Sequence, residues 1–343
     1  MSSGEAAPGP IRVGLIGYGV AGRVFHAPFL AADSAFELAA VVTSQTDRLA
    51  ADFPDAVAVP DVDALLAHPG LDLVVVASPT PLHVAHATAA IDAGIATVVD
   101  KPFAPDTDSG RTLIERAEAA GVPFTVFQNR RWDGDFLTVR RLVADGALGD
   151  VRRFESRFEW WKPSTDDSWK STTAAEAGGG ILFDLGAHLI DQALLLFGAA
   201  QVAHAEVRNR RGGEADDDVF VVLDHDSGVT SHLWMSAVAP ICGPRFRVLG
   251  SRSGFVSWGL DPQEGQLAGG MRPGDPRLGR AIVPGRLGTD SHPDEVSLAT
   301  GDYADFYRQL AASLRDGAPL PVDPRGSLAV LELIDTIHTQ NRK

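Results

Sequence analysis

The sequence predicts an α/β protein in which a doubly wound parallel sheet precedes an α+β domain with an open, mostly antiparallel sheet. Short apolar runs alternate with amphipathic stretches from Ile11 to about Asn129, and this alternation is typical of parallel strands buried on both faces. After about Trp132, several strand-like segments follow one another with short turns between them, which indicates antiparallel pairing. We therefore expect two domains, residues 1–130 and 131–343.

The first domain contains strand and helix candidates in regular alternation. Strands are predicted at Ile11–Ile16, Phe36–Val42, Val57–Val59, Leu71–Ala77, Ile95–Val99 and Phe124–Phe127. Helices are predicted at Gly22–Ala31, Asp47–Asp52, Val62–Ala67, Pro81–Ala93 and Asp106–Ala120. A strand–helix alternation of this kind favours parallel pairing with helices on both faces of the sheet.

The second domain begins with a helix and then becomes rich in strands. Helices are predicted at Phe136–Ala144, Ile181–Phe197, Tyr303–Arg315 and Ser327–His338. Strands are predicted at Arg152–Trp161, Val202–Val207, Val219–Leu223, Val229–Met235, Arg245–Leu249 and Gly254–Trp258. The segment from Pro262 to Thr300 is rich in Gly and Pro, and it is predicted to be a loop.

Composition excludes several classes of function. The chain carries 30 Lys and Arg against 45 Asp and Glu, a net charge of −15, which disfavours a nucleic-acid partner. A single cysteine, Cys242, excludes an intrachain disulfide and a multi-thiolate metal site. No apolar run is long enough to span a membrane, and the N-terminus does not resemble a signal peptide, so a cytoplasmic location is expected.

A glycine-rich motif follows the first predicted strand and opens the first helix. It fits the pattern G-x-G-x-x-G with Gly17, Tyr18, Gly19, Val20, Ala21 and Gly22. In this pattern the first glycine makes a tight turn, the second lets a pyrophosphate approach the backbone, and the third allows close helix–strand packing. The motif predicts a dinucleotide-binding Rossmann domain, with a structural glycine turn as the alternative.

The end of the second strand bears on the choice between NADP and NAD. NAD-binding domains usually place an acid there, but this chain has Thr43 and Ser44, and the first acid is Asp47. The two hydroxyls, together with Arg48 and Arg23, are suited to a 2′-phosphate. We predict NADP, with NAD possible. The alternative is a polar loop followed by a solvated arginine.

Catalytic candidates follow later strands and lie on one helix. Ligands of doubly wound sheets bind beyond the carboxyl ends of the strands, where Lys101 would bind a substrate oxygen and stabilise its negative charge. Asp184 and His188 share a helix face. His188 suits proton transfer, and Asp184 would orient hydroxyls or tune the imidazole. Asp191 is a second candidate partner of His188. The alternatives are a surface lysine and a satisfied core histidine.

Weaker candidates surround this set. His83 is predicted to touch the cofactor, and its spacing with His86 is a poor indication of metal, so no metal site is predicted. Trp160, Trp161 and Trp169 would form a sugar-stacking wall or, equally well, pack in the core.

These residues carry a family resemblance. The Gly17–Gly22 motif, Asp100-Lys101-Pro102, and three glycines at 178–180 leading into Asp184 and His188 resemble the Gfo/Idh/MocA family. The segments 23–28, 129–137 and 184–192 are similar to its NADP-dependent scyllo-inositol dehydrogenase subgroup. The resemblance implies Lys101, Asp184 and His188 as the catalytic set. It implies Ser78, Pro79, Thr80, Asp100 and Pro102 as cofactor contacts, and Arg131 and Tyr303, with the Trp169 loop, on the substrate side.

The sequence departs from the subgroup at two places that bear on the substrate. Ala187 precedes His188 where the subgroup usually has proline, and Ser168 and Lys170 replace an arginine-rich pattern. The predicted function is hydride transfer between NADP and a secondary alcohol or ketone of a cyclitol or sugar. The resemblance also implies a homodimer or homotetramer through the C-terminal sheet. The alternatives are an NAD-dependent glycosidase of the same family and a non-catalytic dinucleotide sensor.

Overall fold

The N-terminal half forms a six-stranded parallel sheet. A computed structural model describes residues 9–164 and 178–341, so the predictions for Ser168, Trp169 and Lys170 lie outside the described residues. The strands are β1 (Ile11–Ile16), β2 (Phe36–Val42), β3 (Val57–Val59), β4 (Leu73–Val76), β5 (Ala96–Asp100) and β6 (Phe124–Phe127). Their order, β3-β2-β1-β4-β5-β6, confirms the doubly wound sheet and puts its switch point between β1 and β4.

Helices flank this sheet as the alternation predicts. They are α1 (Ala27–Ala32), α2 (Thr46–Asp52), α3 (Val62–Leu66), α4 (His83–Asp92) and α5 (Thr107–Ala120). The helix predicted at Gly22–Ala31 is instead a π-helical turn at Ala21–His26 followed by α1. Helix α5 shows why the helix ends could be predicted: the Asp106 carboxylate accepts the Ser109 N–H at its start, and Gly121 ends it with a φ of 64°.

The C-terminal half contains an eight-stranded sheet in the order β14-β13-β12-β11-β7-β10-β9-β8. Its strands are β7 (Val151–Glu159), β8 (Ala200–Arg208), β9 (Asp218–His225), β10 (Thr230–Ser236), β11 (Phe246–Gly250), β12 (Gly254–Ser257), β13 (Gly285–Thr289) and β14 (His292–Val296). Among the described strands of this second sheet, only the β7–β10 pair is parallel, so the expectation of a mostly antiparallel sheet is confirmed.

Helices cover one face of this sheet and reach back to the first. They are α6 (Gly134–Ala144), α7 (Ala187–Phe197), α8 (Gln263–Ala268), α9 (Ala304–Asp316) and α10 (Pro324–Asn341). The prediction of a loop over Pro262–Thr300 is wrong in part, because it contains α8, β13 and β14. Strand β14 (HPDEV) has four exposed residues out of five, so it lacks the apolar pattern from which strands are predicted.

The last two helices pack on the N-terminal half. The Tyr307 ring of α9 stacks on Phe29 at 5.9 Å between centroids and lies 6.0 Å from Phe36. In α10, the Asp335 carboxylate accepts the N–H of Thr107, which begins α5, at 3.0 Å. These contacts join the two sheets through a shared core, and the domain boundary at residue 130 stays a prediction.

Two properties of the described residues bear on the function. None of their helices is both long enough and apolar enough to cross a membrane. No group of three His, Cys, Asp or Glu side chains within residues 9–164 and 178–341 is placed to hold a metal ion.

Candidate active site

The glycine motif forms a tight turn after β1. Gly17 has a φ of +100°, and a Cβ there would lie 2.7 Å from the carbonyl oxygen of Ala77. A Cβ on Gly22 would lie 2.0 Å from the Gly17 oxygen, whereas a Cβ on Gly19 would meet nothing within 4 Å. Two glycines are therefore required by packing, and the third leaves open space over the backbone. This arrangement fits a bound pyrophosphate.

The other residues of the motif differ in what they offer a ligand. The Tyr18 hydroxyl donates to the Asp52 carboxylate at 2.8 Å, and the ring is 3% exposed, so only the backbone of Tyr18 faces the turn. Burial raises the pKa of Tyr18. Val20 is exposed, and Arg23 is partly exposed, as is Ala21. Arg23 forms no ion pair with another described residue, so its charge is available to an anion.

The end of β2 is polar and lacks an acid. Thr43 Oγ1 accepts the N–H of Gln45 at 2.9 Å, which fixes the turn into α2. Ser44 is exposed, and so is Arg48, whose guanidinium donates to the Gln45 side chain at 3.4 Å. The hydroxyls and the cation thus lie at the edge where the adenosine ribose of a dinucleotide binds in such sheets.

His83 joins the loops that follow β4 and β5. Its Nδ1 lies 2.8 Å from the Pro102 carbonyl oxygen and its Nε2 lies 2.7 Å from that of Ser78. The residue is 2% exposed, and this burial lowers its pKa. The negative charge of Asp100 and the hydrogen bonds to the two carbonyls act in the opposite direction and raise the pKa in part. His83 therefore has a structural role in joining these two loops, and its predicted cofactor contact stays a prediction. Pro79 and Thr80, which follow Ser78, remain at the sheet edge.

Lys101 follows β5 and reaches the second half of the chain. Its Nζ donates to the carbonyl oxygen of Asp184 at 2.5 Å and lies 3.1 Å from its carboxylate Oδ1. The side chains of Lys101 and Asp184 are 13% and 26% exposed, so the pair is shielded from water and still accessible. The Lys101–Pro102 bond is cis, and Asp100 Oδ1 accepts the Lys101 N–H at 3.0 Å. Two of the three predicted catalytic residues are thus in direct contact.

His188 lies in the first turn of α7, directly after the π-helical turn Leu182–Gly186 that carries Asp184. The residue is 4% exposed, and its ring presents an edge-to-face contact to Phe158 at 6.2 Å between centroids. Helix α7 therefore holds the imidazole in a well-packed position, one turn after Asp184, the partner of Lys101. Such packing is what a proton-transfer group needs for a fixed geometry.

Asp216 supports the start of this helix, and nothing in the sequence marks it. Its Oδ2 accepts the Leu182 N–H at 2.8 Å, and its backbone carbonyl accepts the Ile181 N–H at 2.9 Å. A Cβ on Gly180 would lie 2.3 Å from Asp216 Oδ1, so the glycine is required for the approach. Burial raises the pKa of Asp216 to about 6. It is the first of three consecutive aspartates, a pattern that usually indicates a solvated turn.

Two predicted substrate contacts are engaged within the protein. Arg131 donates to both carboxylate oxygens of Asp191, at 2.8 and 2.6 Å, so Asp191 pairs with this arginine. Tyr303 is 0% exposed, and its hydroxyl donates to Asp133 at 2.8 Å. Tyr303 is thus buried and held by Asp133, and its predicted substrate contact stays a prediction.

Comparison with known proteins agrees with this geometry. Residues 11–128 match a family model described as the oxidoreductase family with an NAD-binding Rossmann fold, and residues 136–256 match the GFO/IDH/MocA C-terminal domain. The scyllo-inositol 2-dehydrogenase (NADP(+)) IolW of Bacillus subtilis is 35% identical over 95% of this chain and 92% of its own length. The chain belongs to the Gfo/Idh/MocA family.

Other members extend the comparison. The D-glucoside 3-dehydrogenase of Escherichia coli is 26% identical over 88% of this chain and 85% of its own length. The solved structure of the putative oxidoreductase yvaA from Bacillus subtilis has a TM-score of 0.92 at 33% identity, covering 98% of this chain and 97% of its own. This Gfo/Idh/MocA protein is therefore an oxidoreductase with an NAD-binding fold.

Proposed function

We propose that this Gfo/Idh/MocA protein is an NADP-dependent dehydrogenase that interconverts a secondary alcohol and a ketone on a cyclitol or sugar. The contact between Lys101 Nζ and Asp184 at 3.1 Å carries the proposal. It joins the carboxyl end of β5, on the same edge of the sheet as the glycine turn, to the π-helical turn that leads into the helix holding His188. A cation and a proton acceptor at that edge are the groups that alcohol oxidation requires.

The chain's own groups handle the substrate oxygen and its proton. His188 takes the hydroxyl proton as the carbonyl forms and returns it in the reverse direction. The Lys101 ammonium donates to the same oxygen and stabilises its developing negative charge. Asp184 orients Lys101 and accepts a hydrogen bond from a neighbouring substrate hydroxyl. A bound nicotinamide would supply the hydride acceptor or donor.

The preference for NADP rests on the end of β2. Thr43, Ser44, Arg48 and Arg23 offer two hydroxyls and two cations to a 2′-phosphate, and no acid there would repel it. The NADP-dependent relative named above supports the same choice. Michaelis constants for NADP and NAD with one substrate test it, and a lower constant for NAD would reject it.

The catalytic roles are tested by Lys101→Ala and His188→Ala. Each should lower kcat by about 10²–10⁴-fold, because each removes a group that acts on the reacting oxygen. Turnover is measured by nicotinamide absorbance across inositols, aldoses and keto-sugars, and circular dichroism checks the fold. His292→Ala is the matched control and should keep normal turnover, since its exposed ring on β14 contacts the Ser291 hydroxyl, away from the candidate site. Near-normal turnover in either variant would remove that residue from the mechanism.

We also propose a homodimer or homotetramer formed through the outer face of the C-terminal sheet. Phe220 and Trp234 stack there at 4.9 Å between centroids, and the Arg157 guanidinium lies 3.8 Å from the centre of the Trp234 ring. Aromatic and arginine side chains of this kind are enriched at interfaces. Light scattering of the native protein and of Trp234→Glu tests the proposal, which a monomeric native protein would reject.

A further inference from the structure

A cavity of about 680 Å³ opens at one end of the C-terminal sheet. Its lining comes from the first residues of β7, β10 and β12 and from the last residues of β11 and β13, so the sheet itself shapes it. The polar lining includes Arg152, Arg153, Arg252, Thr230, His232 and Ser251. The volume lies within the range of small-molecule sites.

The charge of this cavity is opposite to that of the whole chain. Three arginines line it, and none of its described lining residues is Asp or Glu, whereas the chain as a whole carries a net charge of −15. Arg152 is exposed and forms no ion pair with any described residue. Arg252 donates to the carbonyl oxygen of Gly146, a neutral partner that leaves its charge uncompensated.

The third lining arginine, Arg153, has one carboxylate partner among the described residues, and two other arginines bind the same carboxylate. Glu155 is 8% exposed at its side chain and accepts from Arg157 at 2.9 Å and from Arg247 at 2.8 Å. The Arg153 Nε lies 3.2 Å from the same carboxylate. One negative charge therefore serves three positive ones, and the terminal nitrogens of Arg153 can donate into the cavity.

The nearest acids offset only part of this excess. The Asp224 carboxylate accepts the Thr230 hydroxyl at 3.0 Å, so Asp224 and Glu155 supply two negative charges beside the three lining arginines and their neighbours Arg157 and Arg247. The Ser251 hydroxyl accepts the backbone N–H of Asp150 at 2.9 Å, which leaves its own proton to donate to a ligand.

We propose that this cavity binds a small multivalent oxyanion of the phosphate-ester class. Guanidinium groups bind phosphate in a bidentate manner, and the Ser251 hydroxyl and the His232 imidazole supply further donors. The cavity is distinct from the catalytic end of the sheet. Strand β10 runs from Thr230 at the cavity to Ser236, whose partner Asp218 is two residues from the Asp216 that binds the Leu182 N–H, a span of about 20 Å. The cavity borders the proposed interface between copies, since the His232 ring lies 5.9 Å from that of Trp234.

Calorimetric titration with inorganic tripolyphosphate tests this proposal on the full-length protein. The double variant Arg152→Ala/Arg252→Ala should weaken binding at least about tenfold, because it removes two charge-assisted donors. The matched control Arg111→Ala/Arg325→Ala removes the same charge from exposed ion pairs with Glu332 and Glu118 on the opposite half, and it should bind as the native protein does.

The comparison also separates this cavity from the glycine turn, which is a second site for anions. Binding that persists in Arg152→Ala/Arg252→Ala belongs to the glycine turn, and only the difference from the control supports the cavity. Equal affinity in the two double variants would overturn the proposal. It would also be overturned if the cavity variant left tripolyphosphate binding unchanged and altered the mass measured by light scattering, since the arginines would then join copies of the chain.

Discussion

Two pairs of oppositely charged side chains lie at the candidate site. Lys101 contacts Asp184, and Arg131 holds Asp191 with two hydrogen bonds. The second pair is the more buried, with side-chain exposures of 12% and 3%. In such a pair the loss of one partner leaves a charge without compensation in a poorly hydrated position, which costs more than the pair contributes.

Arg131→Leu should therefore lower the free energy of unfolding by about 3–5 kcal/mol, measured by urea denaturation. Arg131→Leu/Asp191→Leu should recover most of that loss, because it leaves no unpaired charge. The double variant also tests the predicted substrate contact of Arg131. A raised KM with recovered stability would support the contact, and an unchanged KM would reject it.

At the scale of the element, the start of the helix that holds His188 depends on Asp216. Its carboxyl pKa of about 6 in the folded protein exceeds the ordinary value of 3.8. The folded state thus holds this proton more tightly than the unfolded state does. The resulting stability is present in full below about pH 4 and is lost as the pH rises through about 6.

The difference in unfolding free energy between the native protein and Asp216→Asn should therefore fall by about 2–3 kcal/mol from pH 4 to pH 7. Asparagine keeps the acceptor for the Leu182 N–H and does not titrate. Asp135, another buried carboxyl with a pKa of about 6, is present in both proteins, so its contribution to the pH dependence cancels in the difference. The more exposed Asp218→Asn is the matched control. A difference in unfolding free energy between the native protein and Asp216→Asn that stays constant from pH 4 to pH 7 would contradict this explanation.

Elements were predicted where one physical signal dominates. The runs Ile11–Ile16 and Phe36–Val42 are strands with the predicted bounds, since continuous burial leaves an apolar run. The hairpin of β13 and β14 was missed because exposed pairing leaves no such pattern. The helix predicted at Ile181–Phe197 begins with a π-helical turn at Leu182–Gly186 that was missed, and the first N–H groups of this turn are bound by Asp216, which is distant in sequence. For the site, the Lys101–Asp184 contact joins two predicted residues, whereas the burial of His83 and Tyr303 arises from tertiary packing.

At the scale of the whole molecule, Tyr307 joins the last helices to the first sheet. Its hydroxyl lies 2.7 Å from Nδ1 of His26, a residue whose pKa burial lowers to about 4. The ring also lies 5.9 Å from Phe127. Because this cluster includes residues from both ends of the chain, the two sheets should lose their structure together.

Tyr307→Ala should lower the free energy of unfolding by about 3–5 kcal/mol, the usual cost of removing a buried ring. Tyr307→Phe should cost about 1–2 kcal/mol, because it removes the hydrogen bonds of the hydroxyl to His26 and to the Phe25 carbonyl oxygen and keeps the ring. Circular dichroism during thermal unfolding should show one transition in all three proteins. Two separate transitions in the native protein would show that the halves unfold independently.

The position of Tyr307 near the end of the chain has a consequence for synthesis. All six strands of the first sheet are synthesised long before Tyr307. Until Tyr307 emerges from the ribosome, the growing polypeptide exposes Phe29, Phe36 and Phe127. Chaperones that recognise aromatic surface have their longest opportunity to bind during that interval. Premature termination just upstream of α9 would leave these aromatic rings without the Tyr307 ring that covers them, and the product would be prone to aggregation.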